Sequence, residues 1–468
     1  MTHTIPLAVV ALYIVALFGV TWWARRLNTR GGLVGYLLAG RQLPSGVGAA
    51  LLAGLAVGGA STIGVAERAY SVGLSAGWYN AAWSAGAFVM GLGVARRYRQ
   101  MEVTTLPELF ERHYSVGGRV LGVVGQLAIQ VVVTSLQYVA GGAILHSLVP
   151  GAFSFHTGMM ITAVVFVGIT LIGGFWAAGL TNVINVIVIY VGIILGAALT
   201  VSKLGGLSAL TARAPAGYPG FDLWAVGPGL IAAWFIVMVT MVHSTQSVIQ
   251  VGFAARDGRS ASRAYLLGGA LILPVGFISA IIGMAAAVLH PGIIPAKALP
   301  NVVLDLPPLA AGVILAGLWA ADVSTASALL MGSATLVCGD IIKRFFAPSM
   351  TPAREQLVCR VTIALLSVVT FLLALTVSGI LKALLVGLTL STAYTLLVVM
   401  TLYFPRICRR SAATWTLATT MGALALWLAA PASWRLLPHP IYFTWLVSLV
   451  TFFAVAIIDR RRIEGPST

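Results

Sequence analysis

The sequence predicts an all-α polytopic membrane protein, and three observations support this prediction. Of the 468 residues, 59% are hydrophobic and only 9% are charged, and the mean hydropathy is +0.98. Soluble domains carry about 25% charged residues, so this chain cannot cover a water-exposed surface with polar groups. Its apolar runs are continuous and about as long as a helix that crosses a bilayer, whereas the strands of a membrane barrel alternate in hydropathy.

The apolar runs predict about thirteen membrane-spanning helices. In chain order we place them at Leu7–Trp23, Val47–Ser71, Gly77–Ala95, Val120–Leu148, Thr157–Trp176, Thr181–Val201, Leu230–Ile249, Tyr265–Leu289, Leu309–Ile342, Val361–Val377, Ile380–Phe404, Ala413–Ala430 and Ile441–Ile458. The first run has no basic residues before it and no small-residue cleavage site after it. We therefore expect it to be a retained span and not a signal peptide.

The formal net charge of +16 predicts an orientation in the membrane. If the N-terminus is outside and the C-terminus is cytoplasmic, 22 of the 28 Lys and Arg residues fall in cytoplasmic segments, as the positive-inside rule requires. No basic stripe alternates with aromatic residues, so we expect no nucleic-acid partner. The three cysteines, Cys338, Cys359 and Cys408, lack the spacing of a disulfide framework and are expected to be free thiols.

Glycines crowd the second predicted span at Gly54, Gly58, Gly59 and Gly64. Glycine costs about 1 kcal/mol relative to alanine inside a helix, so such a cluster needs an explanation. Two interpretations are open. The small residues could permit close contact between helices. Alternatively, the helix is unwound here, and its free carbonyl groups coordinate an ion or a solute.

The ninth predicted span carries polar groups on one helix face, because Ala321, Ser324 and Thr325 follow each other at i, i+3 and i+4. Two hydroxyls and a carbonyl are hard oxygen ligands suited to Na⁺, although such hydroxyls also commonly bond back to the preceding turn. Asp322 lies within the same span. A carboxylate inside a membrane helix is costly and indicates a functional role.

Six segments of the chain resemble, in order and spacing, the sodium:solute symporter family, which includes bacterial proline, sialic acid and sugar symporters. They are YLLAGRQLP at 36–44, GGASTIGVAERAYSVGLS at 58–75, TLPELFERHYS at 105–115, GGFWAAGLTNVINVIV at 173–188, TQSVIQVGFAARDGRSASRA at 245–264 and AADVSTASALLMGSATLVCGDIIKRF at 320–345.

The resemblance implies one transporter domain over residues 1–468 with the LeuT fold, in which five helices are repeated in inverted orientation. The repeats would be residues 47–201 and 230–404, with an extra N-terminal helix at 7–23 and two C-terminal helices at 413–458. It also implies a sodium-coupled importer of a small organic solute in the bacterial plasma membrane. The transport unit would be a monomer within the lipid bilayer and not an enzyme.

The resemblance further implies a Na⁺ site formed by the carbonyl groups of Gly54, Val57 and Ala321 and the hydroxyls of Ser324 and Thr325. The solute would lie beside the helix break. The residues expected near it are Ser61, Asn80, Thr245, Gln246 and Tyr394, with His243 as a further candidate that could equally be a packed, hydrogen-bonded histidine.

Two departures from the family pattern lead to specific expectations. Asn182 stands where many members have an aspartate, so we predict that a second sodium site is missing and that one Na⁺ moves per cycle. Asp322 replaces what is usually an apolar residue, and we expect its charge to flank the Na⁺ site. Ser61 and Asn80 stand where sugar carriers place longer amide or acidic side chains, which argues against a sugar.

Two rival functions are open on sequence grounds. A proton-coupled carrier on the same fold would use Asp322 or His243 as its titrating group. A sensor without transport would report the solute to a partner, although such relatives usually append a signalling domain, and this sequence ends soon after its last predicted span. We find no nucleophile–base pair, metal cluster or phosphate loop that would indicate a membrane enzyme.

Overall fold

The computed structural model describes residues 4–27, 32–148, 153–376, 387–431, 437 and 439–461. Within these ranges the chain is helical, and an isolated bridge between Leu43 and Ala255 is the one β-type pairing. The predicted all-α class is confirmed. The helices are α1 (Thr4–Ala24), α2 (Gly32–Leu38), α3 (Ser45–Ala56), α4 (Val65–Val72), α5 (Trp78–Val89), α6 (Ala95–Gln100), α7 (Leu106–His113), α8 (Val116–Leu148), α9 (Phe155–Leu204), α10 (Leu207–Ala212), α11 (Pro228–Ser244), α12 (Gln246–Ala254), α13 (Gly258–Leu289), α14 (Ala298–Leu304), α15 (Pro308–Thr335), α16 (Pro352–Ala374), α17 (Ser391–Tyr403), α18 (Ala412–Ala429) and α19 (Pro440–Ile458).

Eight helices in the described ranges are long and apolar enough to cross a membrane, and two further pairs are each bent at a short break. These ten elements account for most of the predicted spans, while the count of thirteen stays a prediction. The end of the tenth predicted span at Val377 and the start of the eleventh at Ile380 lie outside the described residues. The three cysteines are free, as expected, and all three are buried.

The fifth and sixth predicted spans differ from the structure at their junction. α9 consists of two helices that meet at a kink at Gly174, with φ 61° and ψ −154°, and not at the expected connection between Trp176 and Thr181. A side chain there would also meet the Tyr36 carbonyl oxygen, 2.7 Å from an added Cβ. Glycine is therefore required both by the backbone conformation and by the close approach.

Helix α15 lies at the centre of the molecule. In the most hydrophobic stretch of 18 residues in this span, 94% is buried inside the protein, compared with 28% in the corresponding stretch of α1. It packs against α8, α9, α1 and α3. A helix that is apolar around its whole circumference is expected in such a position. Polar groups on α15 consequently face other protein helices and not lipid.

A buried ion pair joins α8 to the segment that follows α15. The guanidinium of Arg119 lies 2.7 Å from the carboxylate of Asp340, which is fully buried and also accepts a hydrogen bond of 2.8 Å from the Thr105 hydroxyl. Arg119 also pairs with Glu111, which in turn pairs with Arg344 at 2.7 Å. The Arg344 guanidinium holds the pKa of Glu111 below its usual range. Four charges therefore tie α7, α8 and the end of the α15 segment together.

We predict that Arg119→Gln lowers the thermal stability of the purified protein, because it leaves the Asp340 carboxylate buried without a cation. Removing one partner of a buried pair costs about 3–5 kcal/mol. The matched control is Arg112→Gln, because Arg112 pairs with Glu108 at the surface and an exposed pair contributes about 0.2–1 kcal/mol. Melting temperatures in detergent compare the two variants, and adding Asp340→Asn should recover part of the loss. Equal melting temperatures would contradict a structural role for the buried pair.

Candidate functional site

The predicted break in the second span is present. Helix α3 ends at Ala56, and the helical segment from Ala60 continues at an angle of 58° to it. Val57 has φ −92° and ψ 69°, which turns its carbonyl group out of the helical direction. The break is possible because of glycine, since an added Cβ at Gly58 would lie 2.6 Å from the Thr325 hydroxyl oxygen. The chain is therefore both unwound and closely packed at the same place. Whether its free carbonyl groups coordinate an ion or a solute stays a prediction.

Oxygen atoms converge where α3 ends against α15. The Ser324 hydroxyl lies 2.8 Å from the carbonyl oxygens of both Gly54 and Ala321. The Thr325 hydroxyl lies 3.0 Å from the same two oxygens and 3.1 Å from that of Leu55. Two hydroxyl protons thus face three carbonyl oxygens. Because each carbonyl oxygen has two lone pairs, some of these lone pairs stay available for a cation. Of the predicted ligands, Gly54, Ala321, Ser324 and Thr325 come together directly, and Val57 lies at the break beside them.

Asn182 on α9 adds a further oxygen to this cluster. Its amide nitrogen donates to the Ala178 carbonyl at 2.6 Å, and its amide oxygen has no hydrogen-bond partner in the described structure. That oxygen lies so close to Gly54 that an added Cβ there would be only 1.7 Å away. The residue that replaces the family aspartate therefore lies at the oxygen cluster and presents a neutral oxygen to it.

Asp322 directly follows Ala321 on α15 and is fully buried. Within the described chain neither of its carboxylate oxygens has a hydrogen-bond partner. One of these oxygens abuts Gly59, where an added Cβ would lie 2.6 Å from it. The Gly59 amide instead donates to the Gln137 side chain at 3.3 Å. A bare buried carboxylate is costly, so this group either takes up a proton or has a cationic group nearby.

A second break separates α11 from α12 at Thr245, where the two helices meet at 48°. The seventh predicted span, Leu230–Ile249, is therefore interrupted near its end. A cavity of about 40 Å³ lies between the two breaks. Most of its lining is apolar or aromatic, and its polar side chains are uncharged. The lining residues are Leu55, Ala56, Gly58, Ala60, Tyr79, Trp83, Val133, Gln137, Met241, Thr245, Ser247, Val248, Thr325, Leu329 and Leu388.

Among the six residues expected near the solute, Thr245 lines this cavity. Its hydroxyl is buried and has no hydrogen-bond partner in the described structure. The Ser61 hydroxyl donates at 2.5 Å to the carbonyl of Ala56, which is one of the lining residues. The Asn80 amide instead faces the Ile272 carbonyl on α13, at 3.5 Å.

The other three candidates are bonded to backbone groups away from the cavity. The His243 ring lies 2.6 Å from the Val239 carbonyl, which is the packed arrangement considered as its alternative. The Tyr394 hydroxyl donates to the Gly122 carbonyl at 2.8 Å. The roles assigned to these residues stay predictions, with Thr245 as the candidate that the cavity favours.

Gln246 holds the connection between α6 and α7. Its side-chain oxygen accepts from the Leu106 amide and its nitrogen donates to the Thr104 carbonyl, both at 3.1 Å. The backbone amide of Gln246 donates to the side-chain oxygen of Gln126 at 2.9 Å. The side-chain nitrogen of Gln126 in turn donates to the Ser244 carbonyl at 2.6 Å. Gln246 therefore fastens the start of α12 to the segment that carries the ion-pair network.

Sequence reasoning missed several cavity residues. Gln137 and Ser247 are polar, and a polar residue in the middle of a span is a detectable signal. Ser247 is also one residue beyond the predicted Thr245–Gln246 pair. Tyr79, Trp83 and Met241 left no such signal, because aromatic and methionine side chains are common throughout membrane helices.

Comparisons with known proteins show the family and the fold of this chain. The model of the sodium:solute symporter family matches residues 36–419. The osmoregulated proline transporter OpuE of Bacillus subtilis is 25% identical over 383 residues, covering 78% of this chain and 76% of the relative. The sodium/glucose cotransporter of Vibrio parahaemolyticus is 25% identical over 421 residues, with 80% and 76% covered.

Solved structures show the same fold. A Na⁺-coupled sialic acid symporter in a substrate-bound, outward-open state superposes with a TM-score of 0.82 at 15% identity, covering 99% of each chain. Mhp1, a nucleobase-cation-symport-1 family transporter, superposes with a TM-score of 0.63 at 16% identity, covering 90% of this chain and 92% of that one. The chain therefore has the LeuT fold, as the resemblance implied. The matching family and relatives are transporters and not enzymes, and neither rival function is favoured.

We predict that Gln246→Ala loosens the connection between α6 and α7, because the Leu106 amide and the Thr104 carbonyl lose their partner. Hydrogen–deuterium exchange of the peptide around residues 101–110 should become faster. The matched control is Ser247→Ala, since the Ser247 hydroxyl has no hydrogen-bond partner in the described structure. Unchanged exchange in the Gln246 variant would show that this residue does not hold the connection.

Proposed function

Because this chain belongs to the sodium:solute symporter family and imports a small solute with Na⁺ across the plasma membrane, we propose that Na⁺ binds where α3 ends against α15. The ligands are the carbonyl oxygens of Gly54, Val57 and Ala321 and the hydroxyls of Ser324 and Thr325. The observation that carries this proposal is the convergence of both hydroxyls on the Gly54 and Ala321 oxygens, within 3.0 Å.

The chemistry of this cluster suits Na⁺. Its atoms are uncharged hard oxygens, the ligand type that binds hard cations in preference to transition metals. The hydroxyl protons bond to the carbonyl oxygens in the structure, and they can rotate away when a cation takes their place. The oxygen of Asn182 extends the same set. It supplies a dipole in place of the charge that an aspartate would bring.

One Na⁺ per transport cycle follows from this composition. The cluster around Ser324 and Thr325 provides one set of oxygens, and the aspartate associated with a second sodium site in some members is Asn182 in this chain. A second cation near Asn182 would lack a carboxylate there to offset its charge in a low-dielectric site.

Asp322 supplies negative charge close to this site. It follows the ligand Ala321 directly and points about 100° away from it around the helix, so it flanks the ion and does not coordinate it face-on. Its unpartnered carboxylate favours a cation through a path of low dielectric constant. Contact with a cationic group of the solute is the competing possibility, since Gly58 and Ala60, on either side of Gly59, line the cavity.

The solute binds in the cavity between the two breaks. Gln137, Thr245 and Ser247 offer it hydrogen bonds, and the hydroxyls of Thr245 and Ser247 have no partner in the described structure. The remaining walls are largely apolar, with Tyr79 and Trp83 providing aromatic faces. A compact solute without net charge and with few hydroxyl groups fits this lining better than a sugar does. Two proline transporters of Bacillus subtilis are among the relatives.

The two breaks also provide the moving parts of alternating access. Half-helices that end in mid-membrane can tilt about the break without unfolding. The inverted repeats would be residues 47–201 and 230–404, within a monomer whose N-terminus is outside the cell and whose lipid contacts are made by the outer helices. In this arrangement the hydrogen bonds from Gln246 to Leu106 and Thr104, together with the Arg119 ion pair, close the cytoplasmic side.

We predict that Ser324→Ala and Thr325→Ala each weaken the apparent Na⁺ affinity about five- to more than a hundredfold, because each removes a contact of roughly 1–3 kcal/mol. Ser327→Ala is the matched control, since its hydroxyl lies on the same helix and bonds to the Val323 carbonyl at 2.8 Å. The sodium dependence of uptake measures all three at equal protein level in the membrane. Unaltered Na⁺ affinity in both site variants would exclude this location.

For Asp322→Asn we predict weaker Na⁺ affinity with solute selectivity retained, because the flanking charge is lost while the cavity lining is kept. Adding Asn182→Asp should partly restore the affinity by returning a charge to the same cluster. Sodium titrations and a solute competition panel test both variants. Loss of solute binding even at saturating sodium, without rescue by the second change, would assign Asp322 to the solute. Unchanged sodium dependence would show that Asp322 has neither role.

A further inference from the structure

A groove of about 440 Å³ lies on the outer surface of the protein, where the end of α1, the part of α9 just before Gly174 and the middle of α16 meet. Its wall combines two arginines with apolar side chains. The lining residues are Trp22, Arg25, Leu171, Ile172, Arg360, Val361 and Ala364. The groove lies apart from the central cavity, and no step of sodium-coupled transport described above uses it.

The positive charge of this groove is not neutralised by the described protein. Neither Arg25 nor Arg360 has a carboxylate within 4.0 Å among the described residues. The acidic residue that precedes Arg360 on α16 is Glu355, which is buried and engaged by Lys343 at 2.5 Å and by the Leu33 amide at 3.0 Å. Two guanidinium groups therefore share one groove without a counter-charge.

The side chains around the groove indicate its depth in the membrane. Trp22 and Trp23 at the end of α1 are more than half exposed, and exposed tryptophans mark the boundary between lipid and water. The Arg25 guanidinium lies 4.3 Å from the centre of the Trp22 ring, so the charge is at the level of this boundary.

An apolar surface continues from the arginines along α16. Val361 and Ala364 line the groove, and Val361, Leu365 and Val368 are exposed on the same helix. Exposed aliphatic side chains on a membrane-spanning helix face acyl chains. The groove thus has a basic end and an adjoining wall that faces hydrocarbon. These two parts match the charged headgroup and the acyl tail of a phospholipid.

We propose that this groove binds an anionic phospholipid, with its phosphate between Arg25 and Arg360 and one acyl chain along Val361 and Ala364. Basic pockets between membrane helices bind acidic lipid headgroups in this way. A zwitterionic lipid carries its own cation and gains less from two uncompensated arginines. A basic residue at the membrane surface gives about a fivefold preference for acidic lipid, so two should give roughly twentyfold or more.

Native mass spectrometry of the full-length protein in a neutral detergent tests this inference. The probes are phosphatidylglycerol and phosphatidylcholine with identical acyl chains. The wild-type protein should retain phosphatidylglycerol at least about tenfold better, and Arg25→Gln with Arg360→Gln should abolish the preference. The matched control is Arg26→Gln with Arg354→Gln, which removes the same charge from exposed positions beside the groove and should keep the preference.

Each of the following results would overturn the proposal. The groove variant could keep its preference for phosphatidylglycerol, or the control variant could lose it equally, which would indicate diffuse attraction. Inorganic phosphate could also displace the lipid at equal concentration, which would indicate a site for soluble anions. If the glutamine variant does not fold, Arg25→Lys with Arg360→Lys retains the charge and should retain the preference, and its loss there would also contradict the proposal.

Discussion

A helix that ends inside a membrane leaves carbonyl oxygens that water cannot reach. The arrangement of this protein depends on how α15 supplies hydrogen-bond donors to these oxygens. Unsatisfied backbone groups in lipid cost several kcal/mol each, so an unwound segment is tolerated only where protein surrounds it. Ser324 and Thr325 supply the hydroxyls that face the Gly54 oxygen. The same hydroxyls can turn their lone pairs to a cation. Thus, the interaction that permits the break also creates the proposed Na⁺ site.

Close approach is the second requirement, and glycine meets it. Gly54, Gly58 and Gly59 each face a polar side chain that a Cβ would displace, namely Asn182, Thr325 and Asp322. Two different helices, α9 and α15, therefore bring polar groups to one short stretch of backbone. The break, the oxygen cluster and the buried carboxylate form one unit, and a change at any of these glycines should disturb the other parts.

The sequence predicted the parts of this unit that follow from local geometry. Ser324 and Thr325 share a helix face with Ala321 because of their spacing, and the glycine cluster marks the break. Contacts between distant segments were beyond such reasoning. The approach of Asn182 to Gly54 and the position of Asp322 against Gly59 depend on how α9 and α15 pack. The partners of Gln246 could not be predicted for the same reason, because a polar residue beside a helix break can bind either a ligand or a distant backbone segment. At Gly174 the apolar pattern continues through the break, so no change in hydropathy marked the positive φ.

The central claim is that one oxygen cluster, without a second sodium site at Asn182, couples the ion to the solute. The most direct test is the ratio of charge moved to solute taken up in proteoliposomes under a sodium gradient, with an electrically neutral solute. The account predicts one elementary charge per solute molecule. A reproducible ratio of two would contradict it.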